Sequence, residues 1–414
     1  MSQPPRGFTT TIVHSDRQQP IEHGSLQQPV HSTVAYGYEH AEDLAAVFQG
    51  KQPGYTYGRQ INPTIEALQR KIDGMEGGLA TVCFGTGMAA IGTVLFALLR
   101  QGDHLIASNY LFGNTNSLFR SFEKQGISVS FVDATRADAV AEALTPATRL
   151  VFVETIANPR TQVAALTELG ALCAEHGLVY VVDNTMTSPF LFRPATVGAS
   201  LVINSLTKYI GGHGNALGGA VTEVGNFDWT QFDGIDPLYR KGEPARWGIT
   251  QIKKKGLRDF GAALGPEPAH HLGIGAETLA LRLTRQCETA RRLTDWLAEQ
   301  PAVRCVHYPG RPEHPQHARA ASLFRYPGAL FSFELNDGWD IWRVMRALKV
   351  VVKSSNLGDN RTLIIPVAHT IFHEVGPERR ASMGIADSLL RVSVGIEENE
   401  DLIADFERAF AAAA

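Results

Sequence analysis

Between residues 104 and 205 the chain repeats one pattern: a short, almost unbroken apolar run, then a stretch with helical character. The runs are HLIAS (104–108), ISVSFVD (127–133), LVFVET (150–155), LVYVVD (178–183) and LVINS (201–205). Helical candidates lie between them near 115–124, 136–143 and 165–176. A strand with one wet face alternates apolar and polar residues. Runs this continuous in Val, Ile and Leu need both faces covered, as in a parallel sheet with helices on either side. The expectation is a doubly wound α/β unit, which binds its ligand at the carboxyl ends of the strands.

The flanking segments are less regular. Residues 1–62 are rich in Gln, Pro, His, Gly and Tyr and read as an extended arm that packs on something else. Asn62-Pro63 marks a helix start, and Ile65, Leu68, Ile72 and Met75 follow at helical spacing. Residues 226–275 break the rhythm. Their KKKGLRD cluster reads as a solvated loop or helix face, and the His270-His271 pair as loop, without metal-ligand spacing. A helix from about Glu277 to Leu297 leads to a second α/β region. Strands there are expected at GALFSFEL (328–335) and LLRVSVGIE (389–397), with a terminal helix at DLIADFERAF. The division expected is an arm (1–62), a ligand-binding domain (63–264) and a C-terminal domain (265–414).

Three features carry chemistry at the strand ends. Lys208 follows LVINS, where its amine would emerge at the carboxyl edge and be open to desolvation, as Schiff-base chemistry requires. Asp183 closes the neighbouring run LVYVVD, and an anion there could hold a pyridine nitrogen protonated. Gly85-Thr86-Gly87-Met88 turns into the apolar helix MAAIGTVLFALL, presenting free N–H groups and a helix dipole to an anion. Each alone has a plain reading: a surface lysine, a capping aspartate, a tight turn. Together they supply the amine, the anion and the phosphate cradle that pyridoxal 5'-phosphate (PLP) chemistry asks of a protein. The turn matches neither GxGxxG nor GxxxxGK[ST], so nucleotide sites gain no support.

The motifs SLTKYIGGHGNALGGAV, VVDNTMTSP, FGTGMAAI, YTYGRQINPT, YPGRPEHPQH and LLRVSVGIE resemble the Cys/Met-metabolism (transsulfuration) family of PLP enzymes, and the resemblance runs over nearly the whole chain in the family's order. That family includes cystathionine γ-synthase and lyases, methionine γ-lyase and O-acylhomoserine sulfhydrylases. The resemblance implies fold type I, the aspartate aminotransferase-like arrangement, with a smaller C-terminal α/β domain. It implies Lys208 as the lysine that holds the cofactor and moves protons, and Asp183 opposite the pyridinium. Thr86, Gly87, Met88, Ser205 and Thr207 would hold the phosphate, Asn158 would lie near the ring oxygen, and Arg391 and Asn356 would bind substrate. Tyr57 and Arg59 would reach the phosphate of a neighbouring subunit, which implies a catalytic dimer within a homotetramer. His314 and His317 of HPQH would serve structure, as would Cys83 in the core.

The sequence departs from the family in informative places. Phe112, in NYLFGNT, stands where many relatives have a Tyr stacked on the cofactor. Its ring can stack, but the hydroxyl that assists a leaving group is gone, and such acid help is worth about 100- to 10,000-fold in rate. An ester or other activated oxygen at Cγ needs that help least. Tyr110, two residues earlier, is a possible replacement donor. Asn114 stands where methionine γ-lyases tend to have Cys, and Ile156 where the family has Pro. The 226–275 segment, YIGGHG and NLGD (356–359) are more similar to O-acetylhomoserine sulfhydrylases. γ-Replacement on an O-acylhomoserine is therefore the first reading. The alternatives are a γ-lyase acting on methionine, cystathionine or an oxygen-linked homoserine analogue such as canavanine, and a non-catalytic cofactor-binding homologue.

Composition narrows the partners. The net charge is -4 without a long basic run, which argues against nucleic acid and anionic membrane surfaces. The four cysteines form no CxxC pair, which suits a reducing compartment rather than a disulfide framework or zinc site. The apolar stretch from Met88 to Leu99 is too short to span a bilayer, and no secretory h-region is visible near the first residues, so a cytoplasmic protein is expected.

Overall fold

The computed structural model describes residues 6–17 and 20–414. Seven strands form the larger sheet: β1 (Ala80–Phe84), β2 (His104–Ser108), β3 (Ser128–Val132), β4 (Thr148–Glu154), β5 (Val179–Asp183), β6 (Leu201–Asn204) and β7 (Gly219–Glu223). Their order is β1-β7-β6-β5-β4-β2-β3. The five apolar runs all appear as strands and all run parallel; only β7 is antiparallel to its neighbours β1 and β6.

Both faces of the sheet are dry except at the edge strand β3, which is only partly buried, and side chains alternate between them. Val151, Val153, Tyr180, Val182 and Val202 join one apolar core, while Leu150, Phe152, Val179, Val181 and Leu201 join the other. Helix α3 (Pro63–Glu76) lies on the first face and α4 (Gly87–Leu98) with α5 (Gly113–Glu123) on the second. The start expected for α3 is where the physics puts it. Asn62 Oδ1 accepts the N–H groups of Thr64 and Ile65 at 2.9 and 3.4 Å, Pro63 takes the first helical position, and Gly77 ends the helix in left-handed conformation. Ile65, Leu68, Ile72 and Met75 are all buried, as their spacing predicts.

Five further strands, β8 (Val303–His307), β9 (Leu330–Leu335), β10 (Val352–Lys353), β11 (Leu363–Pro366) and β12 (Leu389–Ser393), form a second sheet in the order β10-β11-β12-β9-β8. It is antiparallel except for β10 with β11. Its core, around Phe331, Phe333, Phe406 and Phe410, takes in the terminal helix Asn399–Ala411. Among the described residues no helix is long and apolar enough to cross a membrane.

Several expectations need correction. The arm is not wholly extended: it contains α1 (Phe8–His14) and α2 (Ala41–Phe48). Of the two readings of KKKGLRD, the helix face holds and the loop does not: it lies in a π-helical segment, Ile252–Asp259, and is less solvated than expected, with Gly256 and Leu257 buried and the lysines half-buried. His270 and His271 sit in the helix Pro266–Glu277 rather than a loop. The long helix expected from about Glu277 to Leu297 is present, at Leu279–Ala298.

A buried ion cluster pins the arm to α3. Lys71 Nζ lies 3.1 Å from Asp16 Oδ2 and 3.0 Å from Glu277 Oε1, and donates to the Ile12 carbonyl at 3.2 Å. Removing one member of such a cluster strands the opposite charge in a dry site. Lys71→Met should lower unfolding free energy by about 3–5 kcal/mol in urea titration; a loss below about 1 kcal/mol, the range of exposed pairs, would contradict this account.

Candidate functional site

The parallel strands end at a cleft of about 860 Å³, within the size range of small-molecule sites. Most residues singled out from the sequence line it: Thr86, Gly87, Met88, Phe112, Asn158, Asp183, Ser205, Thr207, Lys208, Asn356 and Arg391. Tyr57 and Arg59 do not. They lie together elsewhere on the surface, with the Arg59 guanidinium 5.6 Å from the Tyr57 ring centre and bonded to the Arg258 carbonyl. Tyr57 is 42% exposed.

Lys208 lies four residues beyond the end of β6, and its Nζ donates to Asn356 Oδ1 at 2.8 Å. Burial, helped by the Arg391 charge, lowers its pKa from 10.5 to about 8. The turn after it admits no bulk nearby. Gly358 has φ +73°, and a Cβ there would come within 2.6 Å of the Tyr209 nitrogen and 2.9 Å of the Lys208 carbonyl carbon. The amine is thus held from both sides, by a hydrogen bond at its tip and by a glycine against its backbone.

Asp183 ends β5, and its Oδ1 accepts the Thr185 N–H at 2.9 Å. Burial raises its pKa to about 6, opposed by hydrogen bonds from Thr185. Thr185 also ties the neighbouring strand end, since its Oγ1 accepts the Ser205 N–H at 2.8 Å. Thr86 caps α4 through its hydroxyl, which accepts the Ala89 N–H at 2.9 Å. The Gly87 and Met88 N–H groups then belong to the first turn, which has no intrahelical acceptors, and the helix end favours an anion. Ser205 packs so close that a Cβ on Gly87 would lie 2.8 Å from its Cβ. Thr207 Oγ1 donates to the Gly218 carbonyl and accepts the Gly218 N–H, bracing the far wall.

Arg391, on β12 of the second sheet, is 2% exposed. Its guanidinium donates to Asn158 Oδ1 (3.2 Å) and to the carbonyls of Ser355 (2.9 Å) and Asn356 (3.0 Å), all neutral oxygens, while its buried Nε has no partner. Burial lowers its pKa to about 10. A guanidinium taken out of water and given no carboxylate is costly unless a ligand brings the anion. The opposite imbalance is present in the same cleft, where Asp183 and Glu154 are two buried acids side by side at paired positions of β4 and β5. An amino-acid carboxylate for the one and a protonated ring nitrogen for the other would balance both.

Glu154 was not visible as a site residue from single motifs. It becomes visible when LVFVET and LVYVVD are laid in parallel register, which places two acids at adjacent strand ends. Tyr110 is not a substitute hydroxyl donor for the cleft: it does not line the cavity, and burial, reinforced by Asp133 beside its hydroxyl, raises its pKa. Asn114 does line the cavity. Cys83 is 1% exposed and part of a core, and His314 is buried beside Thr161, with burial lowering its pKa to about 4. Away from the cleft, His307 Nε2 lies 2.9 Å from Glu334 Oε1 and 3.6 Å from Cys305 Sγ, and burial raises the Cys305 thiol to about 11. These three groups satisfy one another.

Fold and cleft together define the class: a pyridoxal phosphate-dependent enzyme of fold type I, with a depressed lysine, a buried acid and a helix N-terminus on one sheet edge. Comparison with known proteins makes the assignment particular. The chain belongs to the Cys/Met metabolism PLP-dependent enzyme family, whose profile matches residues 9–411. It is 36% identical to an L-methionine gamma-lyase of Pseudomonas putida, over 99% of this chain and 98% of that protein. It is also 36% identical to O-acetyl-L-homoserine sulfhydrylase 1 of Thermus thermophilus, over 98% of this chain and 100% of that one. Among solved structures, a cystathionine gamma-lyase from Micromonospora echinospora matches with a TM-score of 0.87 at 33% identity, covering 98% of this chain and 99% of that one. A Campylobacter jejuni protein described as an O-acetylhomoserine (thiol)-lyase, which carries N'-pyridoxyl-lysine-5'-monophosphate, matches with a TM-score of 0.92 at 29% identity, covering 98% of this chain and 100% of that one.

The depressed lysine has a measurable consequence. A lowered pKa means that the neutral, nucleophilic amine accumulates as pH rises through about 8 instead of 10.5. The rate at which apoenzyme captures PLP should therefore reach half its plateau near pH 8, once the cofactor's own titration is subtracted. A rate that keeps climbing towards the ordinary lysine value would contradict the desolvated site.

Proposed function

We propose that this enzyme carries out γ-replacement on an O-acylhomoserine, joining a thiol or sulfide to the four-carbon chain as the acyl group leaves. The observation that carries this reading is the cleft wall at Phe112. A ring without a hydroxyl lines the cavity, Tyr110 does not, and Lys208 is the one lining amine among the described residues. A leaving group that departs as a carboxylate needs no proton on its way out, whereas an alkoxide does.

The residue roles follow from position and charge. PLP, when bound, supplies an electron sink for the carbanion character that develops at the amino acid. Asp183 keeps the ring nitrogen protonated. Thr86, Gly87, Met88, Ser205 and Thr207 hold the phosphate, and Asn158 lies near the ring oxygen. Arg391 takes the α-carboxylate as a bidentate fork, with Asn356 beside it. Lys208, as the neutral amine, would take the Cα proton, give it up to the conjugated system, and only then take a Cβ proton, as the C–O electron pair leaves with the acyl oxygen from Cγ; in replacement both protons return to carbon. A sulfide adding at Cγ completes replacement; release and hydrolysis of the unsaturated product to a 2-oxo acid and ammonia completes elimination. Elimination from methionine is the second reading, and the similarity to the Pseudomonas putida methionine gamma-lyase supports it.

The phosphate cradle is built of N–H and hydroxyl groups. Arg59 and Tyr57, outside the cleft of their own chain, are proposed to complete it in a neighbouring subunit. This makes a dimer the smallest complete unit, within a homotetramer, and gives residues 1–62 their purpose. Residues 63–264 are proposed as the cofactor domain and 265–414 as the C-terminal domain, in a cytoplasmic enzyme.

A substrate panel separates the readings: O-acetylhomoserine, O-succinylhomoserine, methionine, cystathionine and canavanine, each with and without sulfide, scored by product. The expected result is fastest turnover of an ester, with sulfide incorporated. Phe112→Tyr should raise the rate on thioethers or alkoxide leaving groups by about tenfold or more, part of the acid-catalysis range. Wild-type turnover of methionine as fast as either ester, or no gain in the variant, would contradict the leaving-group argument.

A further inference from the structure

Helix α5 begins at Gly113 directly after Phe112, which has extended backbone (φ -50°, ψ 139°) and offers no side-chain cap. A helix normally takes Ser, Thr, Asp or Asn at that position to satisfy its first N–H groups and fix the entry of the chain. Here the entry is held from another strand. The Phe112 N–H donates to Glu154 Oε1 at 2.7 Å. Glu154 ends β4, lines the cleft and is paired in register with Asp183.

Two carboxyl groups at adjacent, buried strand ends do not both carry charge readily. Their surroundings separate them. Asp183 accepts an N–H from Thr185. Glu154 accepts only the Phe112 N–H, and burial together with the Asp183 charge pushes its carboxyl well above the carboxylate range. Lys208 and Arg391 are the cationic groups lining the same cleft.

We propose that Glu154 is a positioning residue: its carboxyl, uncharged, accepts the Phe112 N–H and so sets the Phe112 ring at the cleft wall, leaving the single negative charge of the acid pair to Asp183. The inference rests on the reading of the cleft as the cofactor site. It assigns the glutamate no proton transfer; it acts through Phe112 and by staying neutral.

The test is the visible circular dichroism of the bound cofactor in holoenzyme, with the cofactor dissociation constant, for Glu154→Gln and Glu154→Leu. Gln keeps an acceptor oxygen and is always neutral, so the dichroic band should match wild type and affinity should stay within about threefold. Leu removes the acceptor and leaves a buried N–H unpaired, so the band should shrink and affinity fall about tenfold or more. In a Phe112→Ala background, where no ring remains to be positioned, the Leu effect on dichroism should largely vanish. Loss of the band in Glu154→Gln overturns the proposal, because it means that the negative charge or a titrating proton is needed; the Gln variant decides this even if the Leu variant does not fold. A Leu variant with the wild-type band, or a Leu effect undiminished without the ring, overturns it equally. Wild-type holoenzyme with no visible band would instead count against the cofactor-site reading itself.

Discussion

The cleft depends on the register of three parallel strands. Glu154 stands opposite Asp183 on β4 and β5, and β6 pairs with β5 through Asp183 and Ile203, so the chain leaves β6 towards Lys208 beside those acids. In a sheet with both faces buried, a slip of one residue would exchange the two dry cores and turn every apolar side chain to the wrong layer. The alternation of Val151, Val153 and Val182 into one core and Phe152, Val179 and Val181 into the other fixes that register. Packing of residues with no chemistry therefore determines where the reactive groups meet.

Within that frame, the cleft stores electrostatic imbalance. A fully buried guanidinium bonded only to neutral oxygens, a lysine shifted to about 8 and an acid shifted to about 6 are each unfavourable for the protein alone. Their cost is recovered when a ligand supplies the missing partners. On the proposed reading, the residues that strain the folded chain would be the ones that select a zwitterionic substrate and a cationic ring. Phe112 adds a restriction of a different kind, since it offers a surface but no proton.

Much of this was legible in the chain itself. The five apolar runs pointed to a sheet covered on both faces, and their alternation with helical stretches to a parallel one, with Lys208, Asp183 and the Gly85–Met88 turn at its carboxyl edge. What stayed hidden has physical reasons. β1 and β7 are five residues each, and β7 opens on Gly219, so neither shows a long apolar run. The helices of the arm are seven and eight residues long, too short for periodicity to emerge. Gly256 lies in the π-helical segment because Thr93 of α4 packs against it, a contact between distant parts of the chain. Glu154 escaped because its role depends on the residue across the strand pair and on the Phe112 N–H, and neither is local.

The central claim is a covalent one, and a single measurement addresses it. Holoenzyme reduced with borohydride and digested should yield one peptide bearing the pyridoxyl group, with the modification on Lys208, and Lys208→Ala should yield none and lose turnover. The cofactor fixed to a different lysine, or a Lys208→Ala enzyme that still turns over at the wild-type rate, would contradict the account at its base.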